Sequence, residues 1–468
     1  MLSMSSLKEE SLKPKPQQEK FLSPEEDLEQ SIKDSFSIKR IRIQPSTQLI
    51  NKLFNLYKHI TDYETTHSSQ KTDYNFYCFK VKRKNQISLK RKIKDIFNTN
   101  EVVDTIALII QKINDCKPKE LCKFINLLVK IEYSNFENWK KIFLYYQTQL
   151  SLITATYQHV PIIDIVKIFT SLQAIYNFLP YTADQEVQIL LEKSIKQSVQ
   201  HLLNNFHLID SRLLGSTFNS MSKLGLLDEP ILIKIENDLI KLTKDDLLRD
   251  EDFIAIVFAI FKSNCASEKL YSVLERKCEI LMIFYSQRPV AVDPVNVKMI
   301  IKAFYYANKY DDKKSKIFQI AESIFVKDPE CFPLHEAIEL AFCLSKICEL
   351  SQIFYQKLDE SLTKAGNTNL TEYLATFLIK VLLGPFASEF SHDNIVKYIG
   401  LYKNLALQES LKLKDAKIFR KLLKVQINNN LLKEESKVFI SRTLEEITEY
   451  LKKFEKLEKD PLNAFKNL

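Results

Sequence analysis

Five glycines in 468 residues leave few places where the backbone can turn sharply or bring its amides close to a ligand, and they direct the chain toward continuous helix. Gly215, Gly225, Gly366, Gly384 and Gly400 stand at least ten positions apart, so no two can form the Gly-rich loop that cradles a nucleotide phosphate. Between them, apolar residues recur at helical spacing, broken by short polar turns.

The unit from Ile209 to Leu242 shows this most clearly. Leu213, Leu214, Phe218, Met221 and Leu224 make one apolar stripe, and Ile231, Leu232, Ile235, Leu239 and Ile240 a second. Gly225 suits the left-handed conformation that closes a helix. Asp228 is placed to cap the next one, with Pro230 tolerated in its first turn. The spacing therefore predicts an antiparallel helical hairpin. The layout recurs: the apolar centres Ile125, Phe169, Phe218, Phe258, Phe304, Phe342 and Phe377 are 44, 49, 40, 46, 38 and 35 residues apart. Pro118, Pro161, Pro230, Pro294 and Pro333 punctuate several starts. One hairpin cannot bury both of its faces, so a stack of them must make the core. The expected fold is all-α, an α-solenoid of about six or seven hairpins. The competing reading is an irregular helical globule whose hairpins only look periodic.

Around this array lie three other segments. Residues 1–45 are polar and rich in Lys, Glu, Ser and Pro, with too little apolar surface to offset the entropy of ordering, and are expected to be a disordered arm. Residues 46–98 hold a short amphipathic helix pattern (Leu49, Ile50, Leu53, Phe54, Tyr57, Ile60) and then a basic, aromatic segment. The solenoid is expected over 99–404. Residues 405–468, with Lys412, Lys414, Lys417, Arg420, Lys421 and Lys424 followed by a charged stretch, read either as capping helices with a polar outer face or as solvated terminal helices.

The chemistry of a catalytic site is missing from these patterns. His335-Glu336 opens like a zinc-protease helix, but Glu339 stands where the second His would fall. The eight cysteines include no C-x-x-C pair and sit mostly in apolar stretches, which suits reduced structural thiols. The carboxylates of Asp245-Asp246 and Asp250-Glu251-Asp252 are expected in inter-helix turns as caps and solvated groups. The chain is therefore expected not to be an enzyme, with no cofactor, no metal and no small-molecule substrate. No run approaches the roughly 20 apolar residues of a membrane span, so no membrane insertion is expected.

A basic run is the one site-like feature. Lys80, Lys82, Arg83, Lys84, Lys90, Arg91, Lys92 and Lys94 put eight cations in fifteen residues with no acid among them, just after Tyr74, Phe76, Tyr77 and Phe79. Cations neutralise phosphates while rings stack on bases, so this segment is a candidate nucleic-acid site. A solvated charged stretch or a nuclear-import-like cluster fits the same residues. The abundance of Lys, Asn and Ile also suggests an AT-rich coding background.

The hairpins resemble a known group. Phe218-Asn-Ser-Met-Ser-Lys-Leu-Gly-Leu-Leu-Asp-Glu-Pro230 followed by Ile235-Glu236-Asn-Asp-Leu-Ile240 is similar to the helical repeats of organellar octotricopeptide, heptatricopeptide and FAST-kinase-like proteins. Phe258–Glu268 with Leu274-Glu275 repeats that layout, and Phe304–Asp312 and Phe342–Ile347 echo it. The resemblance covers residues 120–400 and implies work on mitochondrial or plastid RNA, or a place in a mitochondrial ribosome. Many members end in a small β-containing nuclease-like module. Residues 405–468 read as charged helix instead, so no catalytic or base-reading residue carries over. The expected function is a non-catalytic organellar protein, mitochondrial or otherwise cytoplasmic, that binds RNA or a ribonucleoprotein together with protein partners. The rival is a protein-interaction scaffold of a large mitochondrial or cytoskeletal assembly without RNA contact.

Overall fold

The structure, a computed structural model, describes residues 36, 41–69, 91, 93–156, 162–178, 185–288, 292–307, 316–365, 370–384, 387–407, 413–428, 432 and 434–459. Every regular element among them is helical, in keeping with the all-α expectation. No described helix is long and apolar enough to cross a membrane. The chain divides into two compact units, residues 1–145 and 146–468.

In the first unit, α1 (Ser46–Ser69) packs on α2 (Asn100–Gln111) and α3 (Pro118–Lys130). The amphipathic pattern read from the sequence holds in α1: Leu49, Ile50, Leu53 and Ile60 are buried. Phe54 and Tyr57 sit at the edge, under the ammonium of Lys130 at 5.7 and 5.4 Å from the ring centroids. Most of the N-terminal arm lies outside the described residues. Within it, however, Phe36 and Ile41 are buried. Packing thus begins before residue 45, with these two apolar side chains removed from water. Helix α4 (Phe136–Thr156) starts in this unit with Trp139, fully buried, stacked on Phe143 at 5.5 Å and donating its indole N–H to the Tyr133 carbonyl at 2.8 Å.

The second unit is built from paired helices in two rows. The first row is α5 (Ile162–Phe178), α7 (Ser211–Lys223), α9 (Asp250–Ser263), α11 (Pro294–Ala307), α13 (Leu334–Ile347), α15 (Glu372–Leu382) and α17 (Leu413–Ile427). The second row is α6 (Gln185–Asn204), α8 (Glu229–Lys244), α10 (Glu268–Gln287), α12 (Lys316–Lys327), α14 (Gln352–Lys364), α16 (His392–Leu407) and α18 (Glu434–Lys459). Each helix packs on the next member of its own row. Interior first-row helices are flanked on both sides, which is why α13 buries Ala337, Ile338, Leu340, Ala341, Phe342, Cys343, Leu344 and Ile347 around most of its circumference.

The punctuation read from the sequence explains the turns. Gly225 has φ +66, the left-handed value, and closes the turn after α7. Asp228 caps α8 by accepting the Ile231 N–H at 3.0 Å, with Pro230 in the first turn. Pro118 and Pro294 open α3 and α11, and Pro333 precedes α13; Pro161 lies outside the described residues. The acidic triplet is placed differently from expectation. Asp250, Glu251 and Asp252 form the first turn of α9 itself, where carboxylates meet the positive end of the helix dipole. Asp252 is buried, with Arg249 Nε donating to it at 2.7 Å. Asp245 is the C-cap of α8, and Asp246 adopts φ +55.

Within the first row, α7 and α9 approach closely at Gly215. A Cβ on Gly215 would lie 3.0 Å from both Cα and Oδ1 of Asp252 and 3.2 Å from its carbonyl oxygen. Gly215 thus lets two backbones approach where any side chain would collide. Gly215→Ala is expected to destabilise by about 1–3 kcal/mol, as overpacking does. A urea denaturation midpoint equal to that of the unchanged protein would refute this packing. Farther along, Gln426 of α17 is 2 % exposed and donates from Nε2 to the carbonyls of Leu383 (2.9 Å) and Gly384 (3.0 Å). It thereby satisfies carbonyls that the end of α15 leaves without a helical partner.

Candidate functional site

The basic segment named above is mostly beyond what the structure describes. Lys80, Lys82, Arg83, Lys84, Lys90 and Lys92 lie outside the described residues, while Arg91 and Lys94 are exposed.

A different surface comes together on the first row. The rings of Phe258 (α9), Tyr306 and Tyr305 (α11), Phe342 (α13), and Phe377 and Tyr373 (α15) touch in sequence across four helices. The centroid separations are 5.7 Å for Phe258–Tyr306, 5.4 Å for Tyr306–Tyr305 and 5.8 Å for Tyr305–Phe342. Phe342 and Phe377 then stack at 4.2 Å with 10° between planes, and Tyr373 meets Phe377 at 4.3 Å. Tyr373 is 49 % exposed and Tyr306 37 %. Cations overlie the rings: Lys346 and Lys380 stand 5.9 and 5.5 Å from the Phe342 centroid, and Lys302 is 5.8 Å from that of Tyr373. Such contacts draw an ammonium onto a ring face without neutralising its charge.

The origin of this face is legible in retrospect. Phe258, Phe342 and Phe377 were expected to mark the apolar centre of their helices, as Phe169, Phe218 and Phe304 do. Those three are buried, but Phe258 and Phe377 are only half-buried, at the edge of the row. Phe258 and Phe377, and the buried Phe342 between them in the row, are each followed three or four residues later by a lysine (Lys262, Lys380 and Lys346), on the same helix face. That aromatic–lysine spacing was a signal available in the sequence. Only the contact between neighbouring helices turns it into a continuous surface.

Behind the rings lies a buried charge cluster. Lys298 Nζ of α11 stands 2.8 Å from Glu336 Oε2 and 3.3 Å from Glu339 Oε2 of α13. Lys302 Nζ donates to Glu339 Oε2 at 3.0 Å and to the Tyr373 hydroxyl at 3.4 Å. His335 Nε2 is 3.2 Å from Glu336 Oε1. The first of these pairs is close but poorly aligned for a hydrogen bond, so Coulomb attraction carries it. Burial works to lower the pKa of Lys302, yet its hydrogen bond and attraction to Glu339, aided by Tyr373, raise it above the ordinary lysine value. Burial raises the Tyr373 phenol, against the opposing pull of Lys302. The Cys343 thiol on the same helix is pushed up to about 12, mainly by burial. These residues brace the helices and hold Lys302 against the Tyr373 ring. The His335-Glu336-Glu339 sequence is thus part of an ion-pair cluster, and no group of three or more metal-ligating side chains occurs among the described residues.

No protein-family model matches the chain, and no curated protein matches it.

Proposed function

We propose that the chain is a non-catalytic α-solenoid of helical hairpins that holds RNA or the surface of a ribonucleoprotein, such as a mitochondrial ribosome, in mitochondria. The observation that carries this reading is the aromatic–lysine face of α9, α11, α13 and α15. Part-exposed rings offer stacking platforms for unpaired bases, and adjacent ammonium groups attract the backbone. The solenoid reading draws on the packing of each helix against the next of its own row, as stacked repeats do. The organelle rests on the resemblance of the repeats. The segment Lys80–Lys94 is a second phosphate-contacting region in this reading, with protein partners on other surfaces.

A scaffold without RNA contact is the second reading. It is favoured by apolar side chains left open on the second row: Ile233 on α8, Ile280, Ile283 and Phe284 on α10, and Ile353 on α14.

Binding of a fluorescent oligouridine, read by anisotropy, separates the two. The combined variant Tyr306→Ala/Tyr373→Ala/Lys380→Gln is expected to weaken binding by about tenfold or more, since a stacked base contributes roughly 1–3 kcal/mol. These side chains lie at the surface, so the helical circular dichroism should be unchanged. Equal affinity of the variant and the unchanged protein would remove the face from the argument. Absence of RNA binding by the unchanged protein would leave the scaffold.

A further inference from the structure

We infer that α17 carries a further nucleic-acid contact, a stripe of four lysines that follows the phosphodiester backbone; the inference rests on the RNA reading above. Lys414, Lys417, Lys421 and Lys424 are all exposed. At 3.6 residues per turn they fall within about 80° of arc, over a rise of about 15 Å. No acidic residue shares that arc. The opposite arc carries Ala416, Phe419, Leu423 and Gln426, all buried.

Their lack of partners sets these lysines apart. None of the four makes an ion pair among the described residues, whereas lysines on the adjoining helices do: Lys403 pairs with Glu446 at 2.8 Å and Lys437 with Glu434 at 2.9 Å. Like charges three or four residues apart on a helix repel, so the stripe is a standing electrostatic cost that an anionic partner would relieve. Leu413, Lys414, Lys417, Ile418 and Lys421 line a shallow, open depression of about 500 Å³. A lipid surface fits poorly, because an interfacial helix must bury a broad apolar face in the bilayer. The apolar face of α17 is already committed to packing, leaving Val425 as its largely exposed apolar side chain. Lysines repeating every three or four residues suit a polymer with charge at every unit. Contact through Gln426 ties α17 to the end of α15, the helix that bears Tyr373, Phe377 and Lys380, so ring face and stripe belong to neighbouring helices.

The test is the salt dependence of oligouridine binding by the full chain. Each phosphate neutralised on a single strand contributes roughly 0.7 to the slope of log K against log salt, so four lysines account for a slope of about 3. Lys414→Gln/Lys417→Gln/Lys421→Gln/Lys424→Gln is expected to reduce the slope by about that amount without lowering the melting temperature. Four Arg replacements at the same positions should restore it. If the unchanged protein binds RNA and the Gln variant keeps its slope, the stripe is not a contact and the RNA reading stands without it. If the unchanged protein binds no RNA, both readings fall. Loss of slope in the Gln variant with recovery in the Arg variant establishes the stripe.

Discussion

Phe218→Asp is expected to lose about 4 kcal/mol or more of stability, enough to unfold much of a marginally stable chain. The side chain is fully buried in α7 and meets Phe206 edge-on at 6.3 Å. Removing a ring from such a site costs about 3–5 kcal/mol in lost transfer energy and cavity. The carboxylate adds the penalty of an unpaired buried charge. The defect should spread, because α7 packs on α5 and α9 at once and a gap there loosens two neighbours. Urea denaturation followed by circular dichroism measures it. A midpoint near that of the unchanged chain would mean that α7 does not sit between its neighbours in this register.

Lys298→Met is the other large effect, at about 3–5 kcal/mol of destabilisation. Glu336 is 6 % exposed and faces Lys298. Met keeps much of the volume but removes the charge, leaving two carboxylates, Glu336 and Glu339, against the single cation Lys302. Breaking one partner of a buried pair is costly because the other remains desolvated without compensation. One result would confirm the cause. The double variant Lys298→Met/Glu336→Met should recover most of the loss, since no unpaired charge remains. A deficit that the second substitution does not reduce would assign the effect to packing alone. Because α11 and α13 present the ring face, the same variant also tests whether the charge cluster holds that face in place.

The helical character of this chain was written in its sequence in a literal sense. Scarce glycine, 3.6-residue apolar spacing, and Asp228 and Pro230 after Gly225 are local signals, and each acts within a turn or two of backbone. They therefore located the hairpin of α7 and α8, and the mean spacing of the repeats. Local signals could not say which rings face the core. Phe218 and Phe258 are equivalent in the sequence pattern, but one is sealed between helices and the other lies at the rim of its row. The difference is made by the neighbouring helix, which no single-helix periodicity contains. The same holds for Gly215, whose purpose is the 3.0 Å approach of Asp252 from another helix, and for Glu339, which reads as a failed zinc ligand until Lys298 and Lys302 meet it. Sequence determined the helices, their caps and their apolar stripes, because those depend on residues close along the chain. Tertiary structure alone decided the aromatic–lysine face and the buried ion cluster, because both arise from side chains on different helices brought within a few ångströms by packing.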